Sequence, residues 1–369
     1  MSAEPAFKAP WEEVDEGPAI AVPALPASWY TDPDIFEIEK KRIFYKSWQC
    51  AGHECQLREP GEFITHKVVD EEIVVIRGED RQLRAFYNVC RHRAHPVVGA
   101  ASGKCRRMVC PYHAWTYDLT GKLVGAPHSR DVAGFDPKNY GLTEVRLEVF
   151  AGLIFVNLDP DAKPMDELYG PVQQEILDWK PDIRGVRLVT QTPMPHYCNW
   201  KASVENYSEC YHCGPVHKYL TNEVLDADSG RVKVEGLVQR RYVRGRDGQE
   251  QKMWQIWPNT AIGVYIVPGV GRTLSTRCMY PVDFENTIYH YRWFADPHVP
   301  DEKITEYAAF HAQTTGSEDA AVASGVQKGL RSRSFSQGII FASPLTSYTS
   351  ERAVAHFHTL VRDALDGAV

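Results

Sequence analysis

Asn88-Val-Cys90-Arg-His92-Arg-Ala-His95-Pro96 and Cys110-Pro111-Tyr112-His113-Ala114-Trp115 carry two Cys–His pairs, C-x-H and C-x-x-H, with seventeen residues (93–109) between them. Each pair lies in a turn-rich stretch after a short run of strand character, so two loop tips can close on one metal centre. Two chemistries suit that spacing. A zinc ion would take two thiolates and two imidazoles in a tetrahedron. A [2Fe-2S] cluster would take two thiolates on one iron and two imidazoles on the other, and the neutral imidazoles would raise its potential. Spacing leaves both open. His95 stands outside the pattern and reads as a structural residue.

Around these loops, from Trp48 to Asp159, the chain is built of short alternating or β-branched runs: Glu62–Val69, Ile73–Arg77, Leu83–Asn88, Thr116–Tyr117, Val145–Phe150 and Leu153–Leu158. Turn signals such as Asp118-Leu-Thr-Gly121 separate them, which predicts a small antiparallel β domain. Upstream, residues 1–28 are rich in Pro and Ala and read as a mobile or surface-hugging arm. A helix is expected from Thr31-Asp32-Pro33-Asp34 to about Tyr45. Downstream, Met165–Trp179 reads as helix. Strands are expected at Val186–Gln191, Val232–Val243, Ala261–Val267, Arg272–Pro281 and Thr287–Ala295, and helices over 301–333, broken near Gly316, and over 351–366. The layout is α+β: an N-terminal arm and helix over 1–46, a β domain over 47–160, and an α+β domain over 161–369.

Composition narrows the partners. The 369 residues hold 41 Lys and Arg against 48 Asp and Glu, a net charge of -7 without a basic block, so nucleic acid is not an expected partner. The longest apolar stretch, Val145–Leu158, is interrupted by charges and too short to span a membrane. The acidic N-terminus does not resemble a secretory signal. With it, an odd count of nine cysteines predicts reduced thiols in a cytoplasmic protein.

A second constellation follows: Glu205-Asn206, Glu209, His212 and His217. Five residues turn a helix by about 140°, so the two histidines cannot share one helical face. Gly214-Pro215 lies between them and should interrupt the helix, which lets both point inward. Zinc held by Cys210, His212 and Cys213 is an alternative, though three ligands within four residues leave poor tetrahedral angles. Two histidines and one carboxylate would instead form a face that binds Fe(II) and leaves positions open. Glu318 and Asp319 compete for the third place. On a helix Asp319 shares a stripe with Val322, Ala323, Val326 and Leu330, whereas Glu318 points about 100° away. A buried acid needs a cation or hydrogen bonds, which favours Asp319.

The two Cys–His loops closely resemble the ligand loops of Rieske domains. The resemblance continues through Asn199-Trp200-Lys201, Glu205-Asn206-Tyr207-Ser208-Glu209-Cys210-Tyr211-His212 and His217, and in Val326-Gln-Lys-Gly-Leu-Arg-Ser332 and Ala355-His-Phe-His358. These are similar to Rieske non-haem iron oxygenases, most of all the branch acting on quaternary amines such as carnitine and betaines, over roughly residues 28–366. The resemblance implies a Rieske [2Fe-2S] domain ahead of a helix-grip-like catalytic domain. It implies that Cys90 and Cys110 bind one cluster iron, His92 and His113 the other, and that His212, His217 and Asp319 bind a mononuclear iron that uses O₂. It also implies a homotrimer in which electrons cross from the cluster of one subunit to the iron of the next. Most family members place an Asp three residues before the first iron histidine, as a bridge to the neighbour's cluster histidine; this chain has Glu209, with one more methylene. No Gly-rich dinucleotide fingerprint occurs, so NAD(P)H would act only through a separate flavin and iron–sulfur reductase.

A quaternary ammonium is held best by aromatic faces. Tyr207, Tyr211, Trp254, Trp257 and Tyr265 lie in or after the iron segment and are the candidate cage, Tyr207 and then Trp257 first. Hydroxylation next to nitrogen would give a hemiaminal that breaks the C–N bond. The alternative substrate is an aromatic acid or aryl ether in an apolar slot drawn from Ile262, Val264, Ile266 and Phe341. A third reading is an electron-transfer or zinc-structural protein in which His212, His217 and Asp319 are core residues.

Overall fold

The β-branched runs flanking the Cys–His loops pair into a seven-stranded sheet in the order Gln49–His53, Leu153–Asn157, Glu144–Phe150, Leu83–Tyr87, Glu71–Arg77, Glu62–Val68, Ser102–Lys104. The computed structural model describes residues 19–179, 181–343 and 349–367. Every pairing in this sheet is antiparallel. Ile73, Val74, Val75 and Ile76 are all buried, so both faces of the inner strand Glu71–Arg77 are covered, as an unbroken apolar run requires. A small sheet of Met108–Val109, Thr116–Tyr117 and Leu123–Gly125 carries the second loop. Phe63, Val74, Phe86, Met108, Trp115 and Tyr117 form a core that also contains Cys90 and Cys110.

Contacts gather Glu39–Leu188 into one unit. The sequence reading closes the arm at 46 and the β domain at 160, whereas residues 161–188 stay with this unit. Lys163 accepts from Trp48 Nε1 at 2.9 Å, and Ile183 accepts from His53 Nε2 at 2.9 Å, which ties the segment back to the sheet. The expected helix over Met165–Trp179 is two pieces, Met165–Tyr169 and Val172–Leu177, parted by Gly170-Pro171. The helix expected to end near Tyr45 is likewise segmented, into Ser28–Thr31, Pro33–Glu39 and a π turn at Lys40–Phe44.

The other unit contains everything from Val189 onward together with the strand Ile20–Pro26 and the first helices. Its seven-stranded sheet runs Arg187–His196, Thr287–Ala295, Gly271–Pro281, Thr260–Val267, Glu250–Ile256, Val238–Gly245, Leu225–Glu235. The single strand expected over 232–243 is a hairpin that turns at Gly236. Glu250–Ile256 was not expected as strand, because buried Gln251, Lys252 and Gln255 break its apolar alternation. Ile20–Pro26, read as part of an arm, pairs antiparallel with Gln337–Ala342; the arm's residues 1–18 lie outside the described residues. The helix expected over 301–333 is Asp301–His311, a π turn Ala312–Gly316 and Ser317–Leu330. Among the described residues no helix is long and apolar enough to cross a membrane.

Two buried histidines make stability depend on pH. His53 takes the Cys55 amide on Nδ1 and donates from Nε2, and burial lowers its pKa to about 4. His196, bonded to Ser203 through Nδ1, is lowered to about 4 by burial. Above pH 6.5 both are neutral in native and unfolded chains alike. Between pH 6.5 and about 4 the unfolded chain takes up protons that the native one does not, so stability falls as pH falls. The expected slope approaches about 1.4 kcal/mol per pH unit for each histidine. Denaturant unfolding from pH 8 to 4.5 measures it, and His53→Gln should make the curve shallower.

Candidate metal centres and active-site cavity

The two Cys–His loops share one backbone plan. In the first, the Cys90 amide donates to the His95 carbonyl at 2.9 Å and the Ala94 amide to the Cys90 carbonyl at 3.0 Å. In the second, Cys110 donates to Trp115 at 2.9 Å and Ala114 to Cys110 at 3.0 Å. Ala94 and Ala114 both take positive φ, 59° and 55°, a conformation that costs an alanine about 1 kcal/mol or more. Asn88 fastens the first loop by accepting from the Val97 and Val98 amides. Both cysteines are buried and neither is in a disulfide, while the His92 and His113 rings meet edge to face at 4.6 Å. Burial pushes the Cys110 thiol up and the adjacent Cys90 sulfur adds to this, while the Tyr112 and His113 amides favour its thiolate. Two buried sulfurs beside two imidazoles, with amides aimed at one sulfur, suit a cationic iron–sulfur group. His95 bonds the Pro96 carbonyl and is exposed, in keeping with a structural reading.

The second constellation converges equally tightly. Asn199 caps the helix Trp200–Ser208, accepting from the Lys201 amide, and Glu209 leaves it in extended backbone. His212 and His217 then bracket the short helix Cys213–Val216. His212 Nε2 and His217 Nε2 are 3.2 Å apart, and Asp319 Oδ1 lies 3.0 Å from the second and 3.4 Å from the first. Three donors at right angles around one ion, with bonds of about 2.1 Å, would stand about 3 Å apart. The triangle therefore fits one metal. Burial opposes protonation of His212, yet Asp319 and Glu209 raise its pKa to about 9, and the imidazoles hold the Asp319 carboxyl well below its usual range. The site is built around positive charge.

Both histidines are aimed by carboxylates. A carboxylate accepts only, so His217 Nδ1–H donates to Glu318 Oε2 at 2.8 Å, and His212 Nδ1–H donates to Glu209 Oε1. Each ring is thereby left with Nε2 for the metal, the arrangement that orients histidine ligands. Sequence reasoning weighed Glu318 only as a rival ligand and missed this role; its place next to Asp319 was the available signal. The stripe argument also needs correction, since Val326 is 45% exposed and Gln327 is buried in the helix face beside Ala323 and Leu330. Cys210 and Cys213 form a disulfide, against the expectation of reduced thiols throughout. That pairing removes the thiolates on which zinc at Cys210, His212 and Cys213 would depend.

Residues 47–136 match the Rieske [2Fe-2S] domain family, and residues 183–233 and 221–367 match the family of the ring hydroxylating alpha subunit (catalytic domain). The carnitine monooxygenase oxygenase subunit of Escherichia coli (strain K12) is 34% identical over 351 residues, 91% of this chain and 92% of that one. The chain belongs to the Rieske-type ring-hydroxylating oxygenases. This Rieske oxygenase also resembles the glycine betaine monooxygenase oxygenase subunit of Pseudomonas aeruginosa (strain UCBPP-PA14), 36% identical over 56% of this chain and 47% of that one. Among solved structures, the quaternary ammonium Rieske monooxygenase CntA in complex with L-carnitine superposes with a TM-score of 0.86 and 33% identity, over 93% of this chain and 96% of that one. As a family member it is an oxygenase that pairs a Rieske cluster domain with a mononuclear-iron catalytic domain, and the zinc-structural reading falls away.

The oxygenase's donor triangle opens on a small cavity of about 80 Å³. Tyr207 and Tyr265 line it, joined through their hydroxyls at 2.8 Å. The other expected cage residues do not. Tyr211 is 61% exposed, and Trp257 packs on Trp200 and Phe357. Trp254 follows Met253, which does line the cavity, and strand alternation sends it to the opposite face. The apolar slot fails to assemble as well: of its four residues only Ile266 lines the cavity, and Phe341 is 58% exposed on the two-stranded sheet. Arg241 and Arg277 line the cavity instead, and sequence reasoning passed over both.

Proposed function

We propose that this chain is the oxygenase component of a quaternary-ammonium monooxygenase, hydroxylating a carbon next to nitrogen so that the C–N bond breaks. The observation that carries the reading is the end-to-end pairing with a carnitine monooxygenase oxygenase subunit. In this reading Cys90, Cys110, His92 and His113 hold the cluster, and His212, His217 and Asp319 hold the mononuclear iron. When bound, these groups supply electrons singly and activate O₂. The chain's own residues do the rest. Glu209 and Glu318 fix the histidine tautomers, and the cavity walls present the substrate to the triangle. One atom of O₂ enters the carbon next to nitrogen and the other leaves as water, with two electrons drawn from NAD(P)H through a separate reductase. The hemiaminal then releases an amine and a carbonyl compound.

Electron transfer is inter-subunit in a solved relative, and the same route through Glu209 in a homotrimer is our reading here. Glu209 binds His212 of its own chain, and the neighbouring Tyr211 is exposed. A product assay tests the proposal: iron-loaded protein, a surrogate reductase and NADH, with carnitine, γ-butyrobetaine, glycine betaine, proline betaine and methoxybenzoates. Trimethylamine, or formaldehyde with a tertiary amine, is expected from one ammonium compound in step with O₂ uptake. Turnover confined to methoxybenzoates would overturn it.

A further inference from the structure

The aromatic faces that an ammonium would seek are already covered. The Arg241 guanidinium lies 4.3 Å over the Tyr207 ring, and that of Arg277 lies 3.9 Å over Tyr265 and 5.9 Å from Tyr207. Tyr291 and Trp293 close around Arg277 at 5.5 and 5.9 Å. Register places both arginines on one sheet face. Arg241 pairs with Met253, Met253 with Gly263, and Gly263 with Ser275, two residues before Arg277. Gly263 permits this plate, since a Cβ there would stand 2.5 Å from the Tyr265 ring.

Among the described residues neither guanidinium is paired with a carboxylate. Arg241 is 4% exposed and its Nη2 has no hydrogen-bond partner; Arg277 is 9% exposed and its Nε has none. Among the described residues Arg277 Nη2 donates only to His311, which burial and the arginine hold neutral with a pKa of about 3. The carboxylates lining the cavity, Glu209 and Asp319, are committed to His212 and His217. Buried cations without an anion are costly, and one face with two convergent guanidiniums matches a carboxylate. We propose that Arg241 and Arg277 form an anchor for the substrate's carboxylate, so that the enzyme accepts zwitterionic betaines and rejects quaternary cations lacking an acid group. This rests on the quaternary-ammonium reading for the other end of the substrate.

Three probes separate the two ideas: γ-butyrobetaine, its methyl ester, and 5,5-dimethylhexanoate, in which carbon replaces the ammonium nitrogen. Anaerobic titration calorimetry gives their affinities for the wild type, Arg241→Gln, Arg241→Lys and Arg277→Gln, each checked by thermal melting. The ester is expected to bind roughly 10- to 100-fold more weakly than the acid to the wild type, the range of a charged hydrogen-bonded contact. Arg241→Gln and Arg277→Gln should erase that difference, and Arg241→Lys should keep part of it. Equal binding of acid and ester to the wild type, or an unchanged preference in both glutamine variants, overturns the anchor even if betaines are oxidised. Binding of 5,5-dimethylhexanoate that is lost in Arg241→Gln supports the anchor, even where no ammonium compound turns over and the proposed function fails.

Discussion

His217→Ala is expected to abolish product formation, by about 10³-fold or more, while leaving the cluster's visible absorption and paramagnetic signal intact. His217 is buried, contributes one corner of the donor triangle and touches both other corners. Its loss leaves two donors, so iron analysis should show the mononuclear iron gone and the cluster irons retained. Asp319→Ala should behave alike. Glu318→Ala should be milder, weakening iron affinity by about 10- to 100-fold, because it acts only by aiming His217. A His217→Ala enzyme that kept full turnover would sink the triad assignment.

Cys110→Ser is expected to bleach the cluster absorption and bring reductase-driven turnover to background. It should also lower the melting temperature of the protein. Cys110 belongs to the same core as Trp115 and Tyr117, so the cluster would tie the two loops to each other across that core. His95→Ala is the control. His95 sits three residues beyond His92, but its Nδ1 bonds the Pro96 carbonyl whereas the His92 ring meets that of His113, so the variant should retain the cluster spectrum and activity. A spectrum lost with His95→Ala and kept with Cys110→Ser would reverse the assignment.

The convergence of the two candidate metal centres was legible because metal ligation demands few residue types at short spacing. The Cys–His loops and the His212 and His217 pair needed only a count along the chain. Asp319 was reached by helix phase, although its stripe includes Gln327 rather than Val326. The cavity was not legible. Its sheet places Arg241, Gln251 and Arg277 among buried positions, so neither the alternation that marks strands nor the rule that charges face water applied. Proximity in sequence to the iron segment also misled: Tyr211 and Trp254 flank cavity residues but face elsewhere. Glu318 was discounted because its helix position points away from Asp319, yet its longer side chain reaches the far nitrogen of the same ring.

The π turn at Ala312–Gly316 stands directly before the helix that presents Glu318 and Asp319. A π turn is one extra residue wound into an α-helix. Removing that residue would turn everything beyond it by about 100°, sweeping both carboxylates past the imidazoles they serve. The length of the run from His311 to Asp319 is thus as binding a requirement as the identity of any ligand. Chains that share this chemistry should vary there by substitution and not by insertion or deletion.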